Sequence, residues 1–267
     1  MRTSSVVVSL LLALAAAGSA QAFPKESGAA GDCSACHTLG REEAETLLKG
    51  LPLKVLGVEP SEVPGQWEVD VESGQGQKGP VYVDFSKKYL FSGNLLNLVT
   101  KENLTQRRMI ELNRVDFAKI PLNDAIVIGD PAAPNKVAVF TDPDCPYCRK
   151  LHPVLAETAE KRKDVAFYVK IYSINPKSYD KAKAIACAKS SALLDDAMAG
   201  KEIAVPEGCE PAQLEANLAL GRSLGVRSTP TLVFPDGSVV PGAKTAEQIL
   251  QALAAAKAAA AGAAGPG

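Results

Sequence analysis

The most constraining feature of this 267-residue chain is the stretch Val137-Ala138-Val139-Phe140-Thr141-Asp142-Pro143-Asp144-Cys145-Pro146-Tyr147-Cys148. A short apolar run of this kind is a buried strand. It ends a few residues before a Cys-x-x-Cys, and helical spacing begins there, with Leu151, Val154, Leu155 and Ala159 on one face. A thiol at the first turn of a helix faces unpaired backbone N–H groups and the positive end of the helix dipole, which favour its thiolate. Cys145 is therefore the candidate nucleophile and Cys148, nearly one turn further in, the candidate resolving thiol. Pro146 suits a first turn because it has no N–H to leave unsatisfied, while Pro153 is expected to kink or loosen the helix. The competing readings are a structural disulfide or half of a zinc site. Asp142 and Asp144 oppose thiolate formation if their carboxylates face Cys145, and Asp144 is also placed to cap the helix.

The strand Val165 to Ile171 follows that helix, so the unit opens β-α-β, with the right-handed crossover that parallel strands require. Helices between Tyr179 and Leu224 come next. Thr229-Pro230 leads into a strand at Thr231 to Phe234, a turn at Asp236-Gly237 and a further strand at Val239-Val240. A last amphipathic helix carries Ile249, Leu250 and Leu253, and the Ala- and Gly-rich end reads as frayed.

Ahead of this unit, Arg41 to Lys49 reads as a short helix stopped by Gly50. Trp67 to Val71 and Val81 to Phe85 alternate as strands around a Gly-rich turn, and Tyr89 to Thr100 adds a third apolar run. These describe a small antiparallel sheet with one wet face and one helix, thin enough to gain from a partner surface. Glu102 to Lys119 has helical spacing and reads as a connecting helix.

The first residues describe an export signal: Arg2, an apolar run from Val6 to Ala17, then Ala20-Gln21-Ala22 as cleavage site. Cleavage after Ala22 leaves roughly 245 residues, comfortable for two domains. With 29 basic against 30 acidic residues and no long run of either sign, nothing suggests a nucleic-acid surface or a polybasic membrane patch. All six cysteines, at 33, 36, 145, 148, 187 and 209, lie beyond the signal, where an oxidising compartment allows complete pairing.

The segments FTDPDCPYCRKLH (140 to 152), AIACAK (184 to 189), DDAMAGK (195 to 201) and LGVRSTPTLVFPDGSVVPG (224 to 242) resemble the periplasmic DsbC/DsbG protein-disulfide isomerases. The likeness covers roughly residues 42 to 253. It implies an α+β protein: a small cystatin-like N-terminal dimerisation domain (41–101), a linker helix (102–122) and a thioredoxin-fold domain with a helical insertion (123–257), followed by a flexible tail (258–267). It also implies a homodimer with two sites facing a cleft for misfolded, disulfide-containing exported proteins, and reduction by a membrane electron donor of the DsbD type. By matching position Cys145 attacks, Cys148 resolves, and Thr229 and Pro230 form a cis-proline loop against the sulfurs, where substrate peptide would pair. The resemblance pairs Cys187 with Cys209 as a structural disulfide; a second redox pair is the other reading. Pro146-Tyr147 between the cysteines is similar to the DsbG branch rather than the DsbC branch. The pair influences redox poise, so isomerisation and dedicated reduction serving cytochrome c maturation both stay open.

The extension 23–40 holds Cys33-Ser34-Ala35-Cys36-His37, about which the resemblance is silent. Cys-x-x-Cys-His in an exported chain fits covalent haem c, with His37 as axial ligand. It equally fits a disulfide or second dithiol, or a metal site needing ligands from elsewhere. For a sixth haem ligand the mature chain offers Met109, Met198 and His152. His152 otherwise reads as a helix-surface residue near the active site.

Overall fold

The computed structural model describes residues 36–204, 208 and 212–263. The signal segment, Cys33 and Cys209 lie outside them. The chain divides into two units between Thr38 and Leu39.

The N-terminal part of the second unit begins with helix α1 (Arg41–Leu47), closed near Gly50, whose φ of 97° suits glycine. Strands β1 (Leu53–Pro60), β2 (Gln66–Ser73), β3 (Lys78–Asp84) and β4 (Leu90–Phe91) form an antiparallel sheet in that order. The period of two in β2 and β3 points Trp67, Val69, Val71, Val81 and Val83 at Ala44 and Leu48 of α1, which closes a small core.

The other face is not the wet one expected. Helix α2 (Leu104–Leu112) packs on β3, and its Arg108 donates from Nε to Oδ1 of buried Asp70 at 3.0 Å and from Nη2 to Oδ2 at 2.5 Å. Tyr82 and Thr105 share a hydroxyl hydrogen bond of 2.7 Å beside that pair. A forked guanidinium satisfies both carboxylate oxygens, so a face that reads as polar is buried all the same. β1, with its irregular register near Gly57, carries no clean alternation and escapes a pattern search. The apolar run after Tyr89 yields only the two-residue β4.

The expected linker helix is also shorter than its spacing suggests. α2 ends at Leu112, where Asn113 turns its amide onto the carbonyls of Met109 and Lys78. Side-chain amides of Asn compete with helix continuation in this way. Val115 N–H then donates to Gly237 O at 2.9 Å, and a 3₁₀ turn at Phe117–Lys119 follows.

The C-terminal part is a five-stranded sheet in the order β5 (Ile126–Ile128), β7 (Val165–Ile171), β6 (Asn135–Thr141), β8 (Thr231–Val233), β9 (Val239–Pro241). β6 and β7 are parallel, joined by α3 (Pro146–Lys161), as the β-α-β reading requires; the other pairings are antiparallel. α3 continues through Pro153 without a break in the helix. Helices α4 (Tyr179–Ala188), α5 (Ser191–Met198) and α6 (Ala212–Ser223) lie between β7 and β8, and α7 (Ala246–Ala263) closes the chain.

Val137 and Val139 of β6 face Leu151 and Leu155 of α3 and Ile249 and Leu253 of α7. Ala138 and Phe140 face the opposite way, against Tyr172, Leu218, Val226 and the linker residues Ile120, Phe117 and Val115. The linker therefore forms part of the core of the second sheet. α7 runs six residues past Lys257, so the expected flexible tail is helical as far as Ala263, in keeping with the high helix propensity of alanine.

Candidate active site

β6 delivers the chain to Asp142, and the next three residues turn it into α3. Asp142 Oδ1 accepts from Asp144 N–H at 2.9 Å, and Asp142 O accepts from Cys145 N–H at 3.2 Å. The first is the local turn that an Asp makes with the backbone two residues on. Cys145 is the N-cap of α3, with φ −75° and ψ 120°, and Pro146 occupies the first turn. No side chain caps this end, so the role considered for Asp144 is not the one it takes. Instead Asp144 Oδ1 accepts from Arg149 Nη2 and from Lys181 Nζ, both at 2.8 Å.

Asp142 is only 2% exposed and is satisfied on the far side, where Ser178 Oγ donates to its Oδ2 at 2.8 Å and shares a 2.7 Å bond with Ser173 Oγ. Both carboxylates thus have partners of their own, which the sequence reading did not supply. The Asx turn was readable from Asp-Pro-Asp. Ser178 and Lys181, more than thirty residues away, carried no local signal.

The two thiols differ. Cys145 is half-buried and its Sγ lies 3.3 Å from Thr229 O. Cys148 is 1% exposed, and its Sγ accepts from Asp142 N–H at 3.4 Å. Burial pushes the Cys148 thiol up to about 12, against the pull of the Asp142 N–H and the Thr141 hydroxyl, and its hydrogen bond to Cys145 adds to the rise. Both are free thiols.

The Thr229-Pro230 peptide is cis. Its loop is pinned by Thr231 Oγ1 donating to Ser228 O at 2.7 Å and Gly242 N–H donating to Pro230 O at 2.8 Å. On its other flank Arg227 Nη2 donates 2.8 Å to Gln75 O in the β2–β3 turn. The dithiol and the cis-proline loop thus meet across 84 residues of chain, between a helix N-terminus and a sheet strand.

A match to a thioredoxin-like domain spans residues 122–257, half of the chain, and contains the dithiol and the cis-proline loop. The chain belongs to the thioredoxin-like family. Ahead of the thioredoxin-like domain, residues 35–106 match a disulfide bond isomerase protein N-terminal domain. That match starts inside the Cys33 to His37 motif. The DsbC/DsbG resemblance and the α+β, two-domain architecture hold. Among similar proteins, the probable thiol:disulfide interchange protein DsbC of Bordetella avium is 33% identical over 175 residues, 64% of this chain and 61% of that protein. The thiol:disulfide interchange protein DsbC of Escherichia coli is 28% identical over 214 residues, 78% of this chain and 85% of that one. The chain spans about three fifths of the length of the Bordetella relatives it matches.

Cys187, on α4, is disulfide-bonded, and Cys36, Cys145 and Cys148 are not its partner; Cys209 lies outside the described residues. His152 is not a plain surface residue: its side chain is 12% exposed and Nε2 pairs with Asp195 Oδ1 of α5 at 2.6 Å. Tyr147 is exposed beside the dithiol, with Lys150 Nζ 5.6 Å from its ring centroid.

Cys36, His37 and Thr38 are all exposed, whereas a covalently held haem needs an apolar enclosure as well as its thioethers. The three candidates for a sixth ligand are engaged: Met198 in the core, His152 with Asp195, and Met109 packed against Gly79. The described residues do not fit a haem. Among the described residues no cluster of His, Cys, Asp and Glu could hold a metal ion. No helix among them is long and apolar enough to cross a membrane.

Proposed function

We propose that this chain is a thiol-disulfide interchange enzyme that isomerises or reduces incorrect disulfides in exported proteins. One observation carries the reading: a half-buried thiol at a helix N-terminus, 3.3 Å from the cis-proline loop, with a second, buried thiol behind it.

The Cys145 thiolate attacks one sulfur of a substrate disulfide, forming a mixed disulfide and releasing the other sulfur as a thiolate that takes up a proton. A substrate thiolate that attacks the substrate sulfur of the mixed disulfide regenerates Cys145, and the net result is isomerisation. If Cys148 attacks Cys145 Sγ instead, the substrate leaves as a dithiol and the enzyme keeps the two-electron oxidised Cys145–Cys148 disulfide. For that step Cys148 gives up its proton, which burial opposes, and substrate thiols compete with it for the same mixed disulfide. The Thr229 and Pro230 loop, with Pro146 and Tyr147 opposite, supplies the surface on which an extended substrate segment pairs.

The chemistry needs no cofactor, and a membrane donor of the DsbD type would return the dithiol to its reduced state. The setting is the periplasm, reached by the N-terminal signal, with Cys187 and Cys209 as a structural disulfide. A homodimer through the N-terminal domain is favoured by edge strand β4, around which Tyr89, Phe91, Leu96, Leu98 and Val99 are half or more exposed.

Reduced protein mixed with a scrambled disulfide substrate tests the reading. We expect recovery of native substrate, lost in Cys145→Ser; recovery unchanged by that substitution refutes it. Reduced but unshuffled substrate would assign the chain to dedicated reduction.

A further inference from the structure

Asp144 puts a negative charge one residue from the sulfur that must become a thiolate. A carboxylate on the residue next to the nucleophile disfavours its thiolate when it approaches the sulfur, so Asp144 by itself would hold back the nucleophile. The structure answers with two cations on one oxygen. Arg149 Nη2 and Lys181 Nζ both donate to Asp144 Oδ1 at 2.8 Å, and Arg149 Nε also donates to Pro143 O at 3.1 Å, which fixes the guanidinium across the turn that presents Cys145. The charges of Asp144, Arg149 and Lys181 sum to one positive. Lys181 comes from α4, in the first turn of the helical insertion, and its side chain is 24% exposed. Asp142, the other nearby acid, is turned away onto Ser178.

We propose that Lys181, together with Arg149, reverses the charge beside Cys145 and so sets its redox poise, making Lys181 a positioning residue for the nucleophile's electrostatics that the helical insertion supplies. The inference rests on the interchange reading of Cys145 and names what tunes it. In the balanced exchange, oxidised protein and two glutathione thiols give reduced protein and one glutathione disulfide. Because the reduced form carries the thiolate, positive charge beside Cys145 pulls this equilibrium toward reduced protein.

Two substitutions of opposite sign test it. Lys181→Met removes a cation and Asp144→Asn removes the anion, while Lys181→Arg keeps the charge. We expect Lys181→Met to lower the equilibrium constant for reduction by glutathione about three- to tenfold, Asp144→Asn to raise it by a similar factor, and Lys181→Arg to stay within about twofold of wild type. The differences should shrink between low and high salt, since the cluster is partly exposed. Each variant is first checked for cooperative unfolding, with Lys181→Gln replacing Lys181→Met if the latter does not fold.

Alkylation of Cys145 by iodoacetamide, followed by peptide mass across a pH series, gives a second readout that needs no exchange activity. Its half-maximal pH should rise in Lys181→Met and fall in Asp144→Asn. Shifts of the same sign in the two variants, or none in Lys181→Met, overturn the proposal. A wild-type protein that fails to exchange with glutathione would overturn the interchange reading, while the alkylation pair would still decide the charge argument.

Discussion

Replacing Ser178 by Ala removes one oxygen from a fully buried position, and the consequence should reach the dithiol. Ser178 Oγ is the side-chain donor to Asp142 Oδ2 at 2.8 Å, and Asp142 is 2% exposed. Without it one oxygen of a buried carboxylate loses its donor, while the other keeps Asp144 N–H. A hydrogen bond to a charged group is worth about 1.5–3 kcal/mol. For a domain the size of residues 122–257, a loss of about 2 kcal/mol lowers the melting temperature by about 5–10 °C. Asp142 also donates its N–H to Cys148 Sγ and accepts from Cys145 N–H, so the loosened turn should speed native-state alkylation of Cys148. Calorimetry of the reduced protein gives the first number and timed alkylation the second. The double variant Asp142→Asn/Ser178→Ala should lose less than the sum of the single losses, since a neutral amide tolerates the missing donor better than a carboxylate does. A melting temperature for Ser178→Ala within about 1 °C of wild type, or strict additivity in the cycle, would refute the role given to this network.

Other expectations follow from the same structure. With its thiol held up at about 12 in the folded protein against about 9 unfolded, Cys148 contributes stability that is fully present below pH 9 and is lost as pH rises toward 12. Reduced wild type should therefore destabilise over that window more steeply than Cys148→Ala in denaturant titrations, and parallel curves would contradict the burial argument. Gly237 has a φ of 84°, and a Cβ there would clash with Val115 O, so Gly237→Ala should undock the linker, seen as faster proteolysis between Leu112 and Leu122; unchanged cleavage would speak against that contact. Phe91→Asp on the exposed edge strand should halve the mass measured by light scattering without lowering the melting temperature of the thioredoxin-like domain. Protein exported from a host with haem-maturation genes should have an unmodified mass and no Soret band, and a band lost in Cys36→Ser would overturn the exposed-motif argument.

Much of the thioredoxin-like domain was legible because its signals are local. A buried strand, a Cys-x-x-Cys at the helix start and a Thr-Pro before the next strand each occupy a few adjacent residues, and period and turn chemistry act over that range. β5 was missed because three residues carry no period, and β1 because its register breaks near Gly57. The connecting helix was overextended because Val115 continues the helical spacing of Met109 and Leu112 after Asn113 has ended the helix.

The sequence by itself determined which residue types stand at the site: a thiol at a helix start, a second thiol nearly one turn in, and a loop proline. Only the tertiary structure decided their electrostatic setting. Asp144 reads as an adverse charge until Lys181 arrives from 37 residues away, and the direction in which Asp142 turns its carboxylate is set by Ser178, 36 residues on. Charges and hydrogen bonds act through space, and the packing of the helical insertion against the active-site turn, which no local pattern encodes, sets the distances over which they act.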